Sequence, residues 1–126
     1  MPTLNSPSFA SDWLKYEGDS YFSRDTAIIA SGAGRLPSGR VIAQVTATGK
    51  YVEAAASGSD GSQTATAVLL FPVDATTADA QAVIVARHAI ASHAGLTYGS
   101  TINDATKRAA ANAQLKARGI LVREGA

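Results

Sequence analysis

Alternation of apolar and polar residues is clearest between Arg40 and Val73. Residues 41–48 alternate with a period of two, which predicts a strand with one buried face. Gly49 then allows the chain to turn, and a return strand begins at Tyr51. After a loop rich in glycine and serine, residues 64–71 become extended and increasingly apolar, which predicts a third strand. We therefore predict a small β-meander against which the two ends of the chain pack.

The other periodic segments predict three more strands and one helix. The helix is expected over Asn103–Arg118, because Asn103 can cap its start and Gly119 suits a helix end. Leu115 is the one large apolar residue of its alanine-rich body, so it should anchor the helix to the sheet. The strands are expected at Tyr21–Ala30, Ala82–His88 and Ile120–Arg123. The predicted fold class is α+β: a small β-rich domain of meander or partly open, barrel-like sheets, with one C-terminal helix and an extended N-terminal arm.

The first twenty residues differ in composition from the rest of the chain. They combine prolines and serines with isolated large apolar residues, and they sustain neither a helical nor a strand period. Such a segment can be a frayed tail, a lid over the domain's own core, or a docking arm that enters a partner's groove. We therefore divide the chain into an N-terminal arm, residues 1–20, and a globular domain, residues 21–126. If the arm docks on a partner, the contact residues should be its large apolar ones: Leu4, Phe9, Trp13, Leu14 and Tyr16.

Composition and charge narrow the classes of function. The 126 residues carry a formal net charge of +1, so no basic footprint indicates a nucleic acid or an anionic membrane as partner. The apolar runs are far shorter than the roughly 20 residues that a membrane span needs. The chain contains no cysteine, which excludes disulfides and thiolate chemistry. With no signal-peptide pattern, we expect a soluble protein that folds in a reducing, cytoplasmic compartment.

Two features of the sequence could carry chemistry, and neither has the required spacing. The glycines of residues 31–39 match no phosphate-binding pattern, and no helical pattern follows them, so they are interpreted as turn glycines. His88 and His93 are five residues apart, a spacing that suits a metal pair neither on a helix nor on a strand. No motif brings a nucleophile near a base or pairs two carboxylates. We expect no catalytic, cofactor or metal site, and the histidines should be surface or hydrogen-bonded structural residues.

With these segments placed, the chain resembles the bacteriophage head decoration protein family. The resemblance is carried by four segments in the family's order: the run from YFSRDTAIIASGAG to VTATGKYV (residues 21–52), DGSQTATAVLLFPVDA (60–75), AVIVARHA (82–89) and LKARGILVRE (115–124). The combination of these four segments with this spacing carries the resemblance. The chain resembles the longer members of the family, which end in a helix and a final strand, more than the shorter ones.

The resemblance implies a structural role in a virus particle. Family members form homotrimers that cap threefold sites on the outside of the expanded head, where they hold neighbouring major capsid proteins together against the pressure of packaged DNA. It thereby implies a virion protein that is present in the host cytoplasm during assembly. The capsid-docking arm of the family corresponds by position to residues 1–20. The alternative is a small β-barrel binding module for nucleic acid or protein, without catalysis, although the predicted meander lacks the basic groove and stacking aromatics typical of nucleic-acid binders.

Overall fold

The computed structural model describes residues 13–17 and 23–123. Within these ranges the chain forms ten strands and one α-helix, and the helix lies near the C-terminus. In chain order the elements are β1 (Leu14–Glu17), β2 (Arg24–Ile29), β3 (Gly34–Leu36), β4 (Val41–Gln44), β5 (Tyr51–Glu53), β6 (Ala67–Leu69), β7 (Val73–Ala75), β8 (Ala80–Val85), β9 (Ala89–Ser92), α1 (Ala105–Ala117) and β10 (Ile120–Arg123). This β-rich architecture with one C-terminal helix confirms the predicted fold class.

Five strands close into a barrel in the order β2-β5-β4-β6-β8. The predicted hairpin between β4 and β5 is present, with Ala43 opposite Val52. The third strand of the predicted meander, β6, pairs instead with the other edge of β4, where Val41 lies opposite Val68. The meander order is therefore wrong, because the loop after β5 carries the chain across β4 rather than beside β5. Antiparallel pairing of β2 with β8 along their whole lengths contributes to closing the barrel.

The barrel encloses the first of two apolar clusters. All five barrel strands contribute to it, and the antiparallel ribbon of β3 and β7 adds Leu36 and Ala75. Its fully or nearly fully buried members are Ile29, Leu36, Ile42, Ala67, Leu69, Ala75, Ala82 and Ile84. All three residues of β6 and the first three of β4 are buried. The prediction of one buried face for β4 is thus wrong, since a second cluster covers the outside of the barrel there.

The second cluster lies between the barrel and a layer formed by α1 and a three-stranded sheet. This sheet has the order β1-β9-β10, with β9 antiparallel to β1 and parallel to β10. Val41 and Val68 point from the barrel into this cluster, and Leu115 meets them from the helix. Trp13 is its largest buried side chain. The two clusters together bury both sides of the central barrel strands.

The helix α1 begins and ends close to the predicted residues. Asp104, not Asn103, is the N-cap: its carboxylate accepts a hydrogen bond from the backbone N–H of Lys107 at 2.8 Å. At the other end Gly119 has a φ of +84°, the left-handed conformation predicted for the residue after the helix. Leu115 is fully buried, which confirms it as the anchor of the helix. The final strand also has its predicted bounds, Ile120–Arg123.

Candidate functional site

Trp13 joins the N-terminal segment to the core of the domain. Its side chain is 0% exposed, and its indole N–H donates a hydrogen bond to Ser38 Oγ at 2.9 Å. Ser38 Oγ in turn donates to the carbonyl of Leu70 at 2.6 Å. Gly39 makes room for the ring, since a Cβ at this position would lie 2.9 Å from Trp13 Cδ1. The first described residue of the chain is therefore fixed by packing and by a buried hydrogen-bond relay.

Strand β1 continues from Trp13 along the edge of the three-stranded sheet. Leu14 lies opposite Ala91 and Tyr16 opposite Ile90, so Lys15 forms a bulge between two paired residues. Leu14 packs against the second cluster, whereas Tyr16 is 59% exposed on the outer side of the sheet. The strand thus belongs to the domain but presents one large aromatic residue to solvent.

Tyr16 forms a row across the sheet with Ile90 and Leu121, which we call the Tyr16 row. Ile90 is the register partner of Tyr16 on one side and of Leu121 on the other. Ile90 and Leu121 are only partly buried. A shallow depression of about 210 Å³ runs along the row, and it is lined by Tyr16, His88, Ala89, Ile90, Gly119 and Leu121. An apolar row of this kind on the outside of a sheet can contact another protein.

An ion pair fixes the far end of β1 to the barrel. Arg24 Nε donates to Glu17 Oε2 at 3.0 Å and Nη2 donates to Oε1 at 2.5 Å. The side chain of Glu17 is largely buried and that of Arg24 is half-buried. The bidentate hydrogen bond with Glu17 raises the pKa of Arg24 above its ordinary value. This ion pair therefore links β1, which carries Tyr16, to strand β2 of the barrel.

The five residues predicted to make the docking contact have different locations. Leu4 and Phe9 lie outside the described residues. Tyr16 is 59% exposed and Leu14 is partly buried, and their contact with a partner stays a prediction. Trp13 is 0% exposed in the second cluster, so it could meet a partner only by leaving the core, and its part in docking stays a prediction. Strand β1 pairs with β9 of the domain, and the predicted boundary at residue 20 lies outside the described residues.

Sequence reasoning missed Ile90 as a surface residue because it missed β9. That strand has four residues and no alternating pattern, so its extended conformation depends on pairing with β1 and β10 rather than on its own β-propensity. Leu121 could have been found, since the strand Ile120–Arg123 was predicted and alternation places Leu121 opposite the buried Ile120.

His93 takes part in a structural hydrogen-bond cluster beside the helix. Its Nδ1 lies 3.1 Å from Asn112 Nδ2 and 3.2 Å from the hydroxyl of Tyr98, which donates to Asn112 Oδ1 at 2.6 Å. Because an amide N–H can only donate, His93 Nδ1 is the acceptor. Burial raises the pKa of Tyr98 to about 12. His93 is thus a hydrogen-bonded structural residue, as predicted, and the part of the chain that is described contains no group of three or more potential metal ligands.

A family model for bacteriophage lambda head decoration protein D matches residues 3–120. The chain belongs to this family. Membership in the head decoration protein family supports a structural role in decorating a phage capsid, which implies binding to the capsid and a location in the virion. Among curated proteins, none matches the sequence significantly. In the ranges described, no helix is long and apolar enough to cross a membrane.

Proposed function

We propose that this protein binds as homotrimers at threefold sites on the outer surface of the expanded phage head. There it holds neighbouring major capsid proteins together and stabilises the shell against the pressure of packaged DNA. The observation that carries this proposal is the match to the head decoration family over residues 3–120 of the 126 residues, which covers nearly the whole chain. During assembly the protein is present in the host cytoplasm before it joins the head.

The docking arm in this proposal consists of residues 1–12, and it is shorter than the twenty residues suggested by composition. Trp13 and β1 are held in the domain, so they fix the point from which the arm leaves. A protein that stabilises a capsid needs such an anchor, because force on the arm is then transmitted to the barrel through the buried Trp13 and the paired strand β1. The large apolar side chains that remain for contact with the capsid are Leu4 and Phe9.

A single arm of this composition should bind weakly. Ordering a backbone costs about 1–2 kcal/mol per residue, whereas burial of Leu4 and Phe9 contributes roughly 1.5–3 kcal/mol each. Main-chain hydrogen bonds to a capsid strand can offset part of the difference. Three arms on one trimer can raise the overall affinity by a factor of about 10²–10⁴ through effective concentration. Trimerisation is therefore the physical means by which a short, weak arm can give stable decoration.

The Tyr16 row supplies a second contact in this proposal. It lies on the sheet that begins directly after the arm, so a capsid surface reached by the arm is also within reach of Tyr16, Ile90 and Leu121. Its residues are apolar and exposed or half-buried, and they are held on paired strands. Such preordered residues contribute to binding without a large ordering cost.

The test is deletion of residues 2–12 with Trp13 retained. The truncated protein should keep the melting temperature of the full chain, because the described core begins at Trp13. It should no longer co-sediment with expanded heads that lack the protein. Replacement of Leu4 and Phe9 together by serine should have the same effect, and replacement of Ser6 and Ser8 by alanine serves as the matched control.

Two results would contradict this proposal. If the truncated protein decorates heads at full occupancy, the essential contact lies on the domain rather than on the arm. If electron microscopy of decorated heads shows isolated monomers away from the threefold positions, the trimeric arrangement is wrong.

A further inference from the structure

Strand β10 has one free edge among the described residues. It pairs only with β9, and it is the last strand of its sheet. The backbone N–H of Ala89 donates to the carbonyl of Gly119, so Gly119, Leu121 and Arg123 direct their backbone groups towards β9. By alternation, the N–H and C=O of Val122 point to the free edge. A further strand can therefore add at this position.

A groove runs along this edge between β10 and α1. It has a volume of about 400 Å³, and its lining residues are Asn112, Ala113, Lys116, Leu121, Val122 and Arg123. Ala113 leaves the groove open on the side of the helix, because its side chain ends at Cβ. Leu121 borders both this groove and the depression along the Tyr16 row, so the two form one continuous surface around β10.

The charged side chains that line the groove are all positive. Lys116 and Arg123 stand on opposite sides of it, and no acidic residue is among the lining residues. None of the salt bridges within the described ranges involves either cation. Both side chains are exposed, so an anionic segment that approaches them displaces none of these salt bridges between described residues. The charge is complementary to carboxylates placed on either side of an extended backbone.

We propose that this groove binds an extended acidic segment of the major capsid protein, which adds as a strand to the free edge of β10. The inference rests on the proposed function, since it adds a second point of contact with the same partner. The added backbone hydrogen-bonds to Val122. Side chains on its outer face meet Leu121 and Arg123, and those on its inner face meet Ala113 and Lys116. The bound sequence therefore has an apolar residue beside Leu121 and acidic residues beside the two cations.

Binding to expanded heads that lack the protein tests this inference with two variants. The first reverses both charges, Lys116→Glu with Arg123→Glu, and the second fills the groove, Ala113→Leu. Each should raise the Kd for heads by at least about tenfold, and the charge reversal should also weaken the salt dependence of binding. The matched controls are Lys107→Glu with Arg108→Glu, at the other end of α1, and Ala110→Leu, on its other flank. Both controls should bind as the wild type does.

A photo-reactive diazirine analogue of leucine at position 121, which keeps the size of the side chain that lines the groove, identifies the occupant of the groove. On decorated heads it should cross-link to an acidic segment of the major capsid protein. Cross-linking to a second copy of this chain would overturn the inference, as would variants that fold and bind heads like the wild type. If the wild-type protein itself fails to bind heads, the proposed function is wrong and this inference falls with it.

Discussion

Replacement of Trp13 by alanine tests whether the N-terminal segment belongs to the domain. The indole is 0% exposed and packs in the second cluster with Val41, Val68 and Leu115. Truncation of a buried Trp costs about 3–5 kcal/mol, and loss of the hydrogen bond to Ser38 adds about 1 kcal/mol. A domain of this size has a stability of about 5–15 kcal/mol. We therefore expect Trp13→Ala to remove a large part of the free energy of unfolding.

Trp13→Phe separates packing from hydrogen bonding. Phenylalanine keeps much of the buried apolar surface but cannot donate to Ser38 Oγ, which still donates to the carbonyl of Leu70. We expect a cost of about 1–3 kcal/mol, which combines a lost hydrogen bond with a small cavity. The measurement is urea unfolding followed by far-UV circular dichroism, because both variants lack the single tryptophan of the chain.

Acrylamide quenching of the wild-type protein gives an independent check. Since the chain has one tryptophan, its fluorescence reports on Trp13 alone. A side chain without exposed surface should be quenched only weakly, and quenching should rise on unfolding. Strong quenching of the folded protein, or a loss below about 1 kcal/mol for Trp13→Ala, would refute the burial of Trp13 and return it to the docking arm.

Two further predictions concern the helix and its neighbours. Leu115→Ala should lower the free energy of unfolding by about 2–5 kcal/mol, because the side chain is fully buried; a loss below about 0.5 kcal/mol in urea unfolding would show that α1 packs through its alanines alone. Burial raises the pKa of Tyr98 to about 12, so its contribution to stability is fully present below the ordinary pKa near 10 and is lost as the pH rises towards 12. Tyr98→Phe should flatten this alkaline decline in thermal unfolding, and an unchanged decline would contradict the assignment.

Local sequence signals determined the elements whose stability is local. The helix has strong alanine propensity, an acidic residue that caps its start and Gly119 at its end, and these act within a few residues. The β4–β5 hairpin is similar, because Gly49, with a φ of +74°, allows the turn between its strands. Leu115 could be singled out as the anchor because it is the one large apolar residue in the helix.

Pairing between distant strands was decided only by the tertiary structure. Whether β6 joins β5 or the other edge of β4 depends on which arrangement closes the barrel, and alternation within β6 is the same in both cases. The strands β3, β7 and β9 are short and carry no alternating pattern that marks them as strands, and each is held by its hydrogen-bonded partner strand. On composition alone, Trp13 was assigned to the N-terminal arm. Its burial depends on Ser38, Gly39 and Leu70, which are distant in sequence and could not be inferred from the arm itself. The sequence by itself thus determined the family and the local elements, and long-range packing decided the strand order and the burial of Trp13.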